Sequence, residues 1–324
     1  MSSTEESLRI LVLRGGAVGD FVFTVPVLDA LRARWPGAHI TLACYPRMAA
    51  LATSFGLADA TLSLDSADIA RLFVHEAKAV LPGRFDTILS YLHDPDGVVR
   101  GNLLRTGAKR VVCGRPLPAS EHAADWLIRP LSELGIRPVL PAIPRLGSPS
   151  LLLRRAEGTL AEIMAGTPGA PRRRAVIAIH PGSGSPKKNW SADRFATLAV
   201  RLLGEPDFTP LFIFGYADSV ARESLAALAP AIPVLPSYGL AELAAVLGCC
   251  AGYAGNDSGI THLAAAVGIP VVALFGPTDP AVWGPRGPNV RIINAGGDIT
   301  AIAPDEVFNQ VLLCRSRGFR RDRR

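Results

Sequence analysis

No stretch of this 324-residue chain is both long and apolar enough to cross a bilayer as a helix. The most apolar candidate, Ile260 to Phe275, carries His262 and Pro270 and falls short of the roughly 20 residues a span needs. Cysteine is scarce and without pattern. Cys44, Cys113, Cys249, Cys250 and Cys314 form an odd set of five with no CxxC spacing, which disfavours a disulfide framework or a zinc site and fits unpaired thiols in a reducing cytoplasm. The first residues, MSSTEESLRI, put acidic side chains where an export signal would be basic and then apolar, so no export by that route is expected. The body of the chain also lacks an excess of one charge. Six arginines against one aspartate in Arg315–Arg324 carry +5 of the net +6, so no nucleic-acid partner is expected. That tail is either a solvated, disordered end or a weak contact with anionic lipid heads at the cytoplasmic face of the inner membrane, where each basic residue adds about 1 kcal/mol.

What is present is length and apolar patterning. With 49% hydrophobic residues, the chain passes the roughly 250–300 residues at which one core stops growing, so two domains are expected. Arg9 to Leu13 is an apolar run expected to form the first strand, followed by the loop Arg14 to Asp20, RGGAVGD. A helix follows, with Pro26 either opening it or kinking one begun at Asp20; His39 to Ala43 reads as the second strand. Weaker alternation continues to Leu134. Proline and glycine then thicken, and the boundary is placed in Gly166 to Arg174, with Leu151 to Met164 as the last helix of the first half. Residues 1–168 and 169–313 are thus the two expected domains, and 314–324 the tail.

The second half restarts the pattern: strand Ala175 to Ile179, the loop His180 to Asn189, helix Ser191 to Leu203, and strands at Pro210 to Phe214 and Ile232 to Leu235. Two βα halves, each opening with a strand and a glycine loop, suggest two Rossmann-like domains facing a cleft. Neither loop is a standard nucleotide fingerprint. GGAVGD has Ala17 and Asp20 where G-x-G-x-x-G needs glycine, and no GK[ST] follows HPGSGSPKK at Walker spacing. Dehydrogenase and P-loop chemistry lose their main support.

The most informative stretch is Gly255 to Pro280, GNDSGITHLAAAVGIPVVALFGPTDP. Asp257 and Ser258 suit an N-cap, the helix from Thr261 offers unpaired N–H groups to an anion, and Pro270 to Phe275 reads as a strand buried on both faces. The loop from His180 through Trp190 places Ser183, Gly184, Lys187 and Lys188 before a helix. That composition suits a diphosphate, although a solvated surface loop would look similar.

Three segments resemble glycosyltransferase family 9, the heptosyltransferases of lipopolysaccharide assembly: RGGAVGDFVFTVPVLDALR, HPGSGSPKKNWSADRFATLA, and GNDSGITHLAAAVGIPVVALFGPTDPAVWGP. The resemblance implies an α/β fold of GT-B type, with a glycolipid acceptor bound mainly by the first half. It implies a nucleotide-sugar donor, typically ADP-L-glycero-D-manno-heptose, bound by the second half, with inversion at the anomeric carbon and no structural metal or cofactor. Asp20 matches the family's catalytic aspartate and is the candidate base; as a bare residue it could equally cap the first helix. Lys188 matches the phosphate-binding lysine, with Lys187 beside it. Asp257, Ser258, Gly259, Thr261 and His262 match the phosphate and sugar loop. Asp218 stands near the family's ribose-binding acid, though GYADSVARE is a loose match, and Tyr238 could stack on the base. Arg14, Arg47 and Arg100 could meet an acidic acceptor. Readings that stay open are another sugar nucleotide, a UDP-sugar 2-epimerase on the same architecture, or a nucleotide-sugar-binding protein without turnover.

Overall fold

The computed structural model describes residues 7–75, 81–118, 120–166 and 175–318, with side chains to 313. The backbone divides into two compact units, Met1–Pro144 and Arg145–Arg324.

In the first unit, strands β1 (Arg9–Leu13), β2 (His39–Cys44), β3 (Ala60–Ser63), β4 (Thr87–Ser90) and β5 (Arg110–Cys113) form one parallel sheet in the order β3-β2-β1-β4-β5. The helices are α1 (Val18–Arg34), α2 (Pro46–Ser54), α3 (Ala67–Ala70), α4 (Val98–Arg105) and α5 (Ala123–Ile128). Ile10 pairs with both Ile40 and Thr87, so β1 is central. Ile10, Leu11, Val12 and Leu13 are fully buried, as an unbroken apolar run demands of a strand covered on both faces. α1 begins before Asp20 and carries Pro26 inside it, where the missing N–H deprives the Val22 carbonyl of its helical donor. Of the two expected roles for Pro26, opening the helix gives way to lying within it, in a helix that starts at Val18, two residues before Asp20.

The second unit contains β6 (Ala175–His180), β7 (Phe208–Phe212), β8 (Gly252–Asn256), β9 (Val271–Phe275) and β10 (Val290–Asn294), all parallel, in the order β10-β9-β8-β6-β7. Its helices are α6 (Ser150–Ala165), α7 (Ala192–Gly204), α8 (Ser219–Leu228), α9 (Leu240–Cys249), α10 (Gly259–Ala266), α11 (Pro280–Trp283) and α12 (Pro304–Gly318). Trp190, Phe195, Phe212 and Leu274 lie in one core with Val307 and Phe308 of α12. Pro210 is accommodated because β7 is the last strand of the sheet, where a missing N–H costs no ladder bond. The strand expected at Ile232 to Leu235 is reduced to a single bridge between Phe212 and Val234, since Pro233 and Pro236 lack donors.

The chain divides after Pro144 rather than near residue 168. α6, expected to close the first half, packs with the second: Cys249 Sγ of α9 donates to Leu153 O at 3.8 Å, and Leu146 N to Ala266 O at 2.8 Å. The segment 167–174, where the boundary was expected, lies outside the described residues, as does the end of the basic tail. Among the described residues no helix is long and apolar enough to cross a membrane.

Candidate functional site

Each sheet has one place where adjacent strands send their connections in opposite directions, between β1 and β4 in the first and between β6 and β8 in the second. Ligands of open α/β sheets bind beyond the strand carboxyl ends at that switch point. The residues singled out by sequence fall largely at these two places.

At the β6/β8 switch point, Ser258 caps α10, its hydroxyl accepting from Thr261 N, while Thr261 N and His262 N both reach Ser258 O. The Gly259 and Ile260 N–H groups are left at the open helix end, where the helix dipole adds positive potential. Beside them Lys188 Nζ meets Asp257 Oδ2 at 2.7 Å, the lysine partly exposed and the aspartate 7% exposed in its side chain. Two residues sixty-nine positions apart, expected separately to hold phosphate and sugar, are therefore paired. Lys187 and Gly184 are exposed. Ser183 is half-buried, and its hydroxyl closes a turn by donating to Ser185 O at 2.6 Å and accepting from Ser185 N at 3.1 Å.

The loop is held from below by a residue that sequence reading passed over. Asn256, fully buried, donates to Pro181 O at 2.7 Å and accepts from Trp190 N at 3.1 Å. One amide thus clamps both ends of the lysine loop to β8. Its signal in sequence was only its place beside Asp257.

His180 was likewise passed over as a separate site residue. Its Nε2 lies 3.2 Å from Asp218 Oδ2 and its Nδ1 3.3 Å from Ser258 Oγ. Asp218, expected to meet a ribose, is instead buried, accepting from Gly215 N at 2.6 Å and packing against Gly182, where a Cβ would lie 2.0 Å from its Oδ1. Burial alone would raise its pKa, but the His180 and Gly215 hydrogen bonds prevail and hold it below the ordinary carboxylate range. Thr261 is fully buried with its hydroxyl turned inward, 2.9 Å from Tyr253 OH and bonded to Asn256 O. His262 is buried within α10. Tyr238 stands partly exposed just before α9, whereas Tyr216, on the same connection as Asp218, is fully exposed.

At the β1/β4 switch point, Asp20 occupies the first turn of α1. Its Oδ2 accepts from Ala17 N at 2.8 Å and its Oδ1 from Arg14 Nη2 at 2.8 Å. The capping role and the functional position coincide in one residue. Gly16, with φ +106°, is required here twice over, because a Cβ would also lie 2.5 Å from Asp20 Oδ2. Arg14 is not presented to an acceptor: it is 5% exposed, donates to Pro116 O, and lies 6.0 Å from the Tyr91 ring. Burial lowers its pKa, opposed by Asp20. Arg47 and Arg100 are exposed.

A family model, glycosyltransferase family 9 (heptosyltransferase), matches residues 152–301. Lipooligosaccharide heptosyltransferase 2 of Haemophilus influenzae is 31% identical over 126 residues, which are 37% of this chain and 36% of that protein. The match to the glycosyltransferase family 9 model takes in most of the second unit and a little under half of the chain. The chain thus matches about a third of the length of that curated relative. Its fold extends the likeness over the whole length. A family 9 glycosyltransferase from Veillonella parvula superimposes with a TM-score of 0.80 at 21% identity, covering 97% of this chain and 99% of that one. An Escherichia coli heptosyltransferase solved with ADP gives 0.70 at 18% identity, covering 95% and 100%. Two Rossmann-like units of GT-B type are the architecture these structures share with it.

Proposed function

We propose that this chain is an inverting glycosyltransferase of family 9 that moves a heptose from ADP-L-glycero-D-manno-heptose to a lipopolysaccharide-core or related glycolipid acceptor, working in the cytoplasm. The observation that carries the reading is the Lys188–Asp257 pair beside the open end of α10, at the carboxyl ends of β6 and β8. A cation and unpaired N–H groups suit the diphosphate that leaves; a carboxylate that like charge keeps off phosphate suits sugar hydroxyls.

In the reaction the acceptor oxygen forms a bond to the anomeric carbon as the bond from that carbon to the diphosphate breaks. Asp20 takes the hydroxyl proton, and ADP departs with the electron pair, its new charge held by Lys188 and the Gly259 and Ile260 N–H groups. Arg14 and Ala17 N fix the aspartate's orientation. The ADP bound by the related Escherichia coli protein supports adenine as the base.

The test is a panel of ADP-, UDP- and GDP-sugars measured first for binding and then for nucleotide release with candidate acceptor lipids. Tight binding and release confined to ADP-heptose bear the reading out. Release from a UDP- or GDP-sugar reassigns the donor, and binding with no release from any acceptor makes the chain a binding protein.

A further inference from the structure

Asp218 and Ser258 lie on different loops, forty residues apart, and no hydrogen bond joins them among the described residues. Both touch the same imidazole from opposite sides. Asp218 accepts from Gly215 N as well as facing His180 Nε2, so it acts there as an acceptor and the hydrogen between carboxylate and ring belongs to Nε2. In the tautomer with its hydrogen on Nε2, His180 offers Nδ1 as an acceptor to Ser258 Oγ, 3.3 Å away. The remaining contacts obey the same count. Thr261 spends its hydroxyl hydrogen on Asn256 O, Tyr253 OH donates to Thr261 Oγ1, and Thr261 N donates to Ser258 Oγ. Ser258 Oγ thus has two acceptors for its hydrogen, His180 Nδ1 at 3.3 Å and Thr261 Oγ1 at 3.1 Å, and turns a lone pair to the helix.

We infer that His180 is a positioning residue: anchored by Asp218, it fixes the rotamer of Ser258 and, through that cap, the first turn of α10 and the adjoining Asp257. The inference rests on the donor-site reading above for its functional consequence, but the relay itself does not. Three loops end at this ring. His180 closes β6, Asp218 precedes α8 and Ser258 precedes α10, so one imidazole ties together the connections that surround the β6/β8 switch point. Sequence supports the arrangement at Gly182, where any side chain would displace the Asp218 carboxylate.

The experiment combines a double-mutant cycle with the spectrum of the imidazole. Asp218→Asn and Ser258→Ala are made singly and together in the full chain, and ADP affinity is measured by calorimetry. Each single change should weaken ADP about tenfold, and the double change should also weaken it about tenfold, because both break one relay. Nitrogen-15 spectra of the wild-type chain should show His180 protonated at Nε2 and bare at Nδ1, and Asp218→Asn should mix the two tautomers. A loss near a hundredfold in the double variant, or no loss in the singles, overturns the relay. So does a His180 spectrum indifferent to Asp218. If the wild-type chain fails to bind ADP, the donor-site reading falls, while the spectrum still decides whether His180 is held as described.

Discussion

Asp20 carries two duties in one carboxylate. It closes the first turn of α1 through Ala17 N, and it neutralises the buried Arg14. The two duties separate by substitution. Asp20→Asn keeps an oxygen for Arg14 while abolishing the base, so transfer should fall by about 10²–10⁴-fold with ADP affinity nearly unchanged; equal loss of both would make the residue structural. Asp20→Ala leaves Arg14 without its partner and should also lower thermal stability, which calorimetry would show. Lys188 and Asp257 make a second separable pair. Lys188→Ala should weaken ADP by about tenfold or more and flatten the salt dependence of binding, an unchanged affinity assigning the lysine to solvent. Asp257→Asn removes the carboxylate that competes with phosphate for Lys188, so ADP binding should hold or tighten while transfer drops. Weaker ADP binding in that variant would show that the carboxylate organises the lysine instead.

The elements around the site were legible to different degrees. α10 and β9 followed from an N-cap beside a small-residue helix and an apolar run, signals contained within a few residues. The start of α1 was not legible, because Pro26 suits a first helical position as well as a kink, and only the structure shows the helix continuing through it. α5 stops at Ile128, before Pro130, and continues only as a 3-10 turn. Asn256 was illegible for another reason: its two partners, Pro181 and Trp190, lie 75 and 66 residues away, and no local pattern encodes such a clamp. Asn256→Asp sets an oxygen against Pro181 O where a donor stood. It should cost about 1–3 kcal/mol and lower the melting temperature of the second unit by roughly 2–12 °C; a melting temperature within a degree of wild type would remove Asn256 from the support of the loop.

Across the whole molecule, acid should act on both units. In the first, Asp86 is held below the ordinary carboxylate range by Arg9 N and then Lys109. Asp59 is held low although its burial opposes this, because Arg32 and Ile40 N both donate to it. Asp218 is the counterpart in the second unit. A carboxylate with a folded-state pKa below its unfolded value of about 3.9 contributes stability that is complete above that value. It is lost as pH falls through the lower one. Urea midpoints should therefore fall as pH drops below about 4. Asp86→Asn should lower the neutral midpoint and make the acid fall shallower, and an unaltered slope would remove Asp86 from the account. Cys44 and Cys250 are poor nucleophiles, since burial pushes Cys44 up to about 11 and Cys250 further.

Apolar runs punctuated by glycine loops determined two parallel α/β halves, because strand burial and loop freedom are properties of a few adjacent residues. The two glycine loops were likewise legible as following the first strand of each half. Only the tertiary structure decided that Asp218 faces His180, that Lys188 is paired with Asp257, that Arg14 is buried beneath Asp20, and that the division falls after Pro144. Each of those depends on which loops the crossovers bring to one end of a sheet, and on carboxylates that must find partners once they leave water.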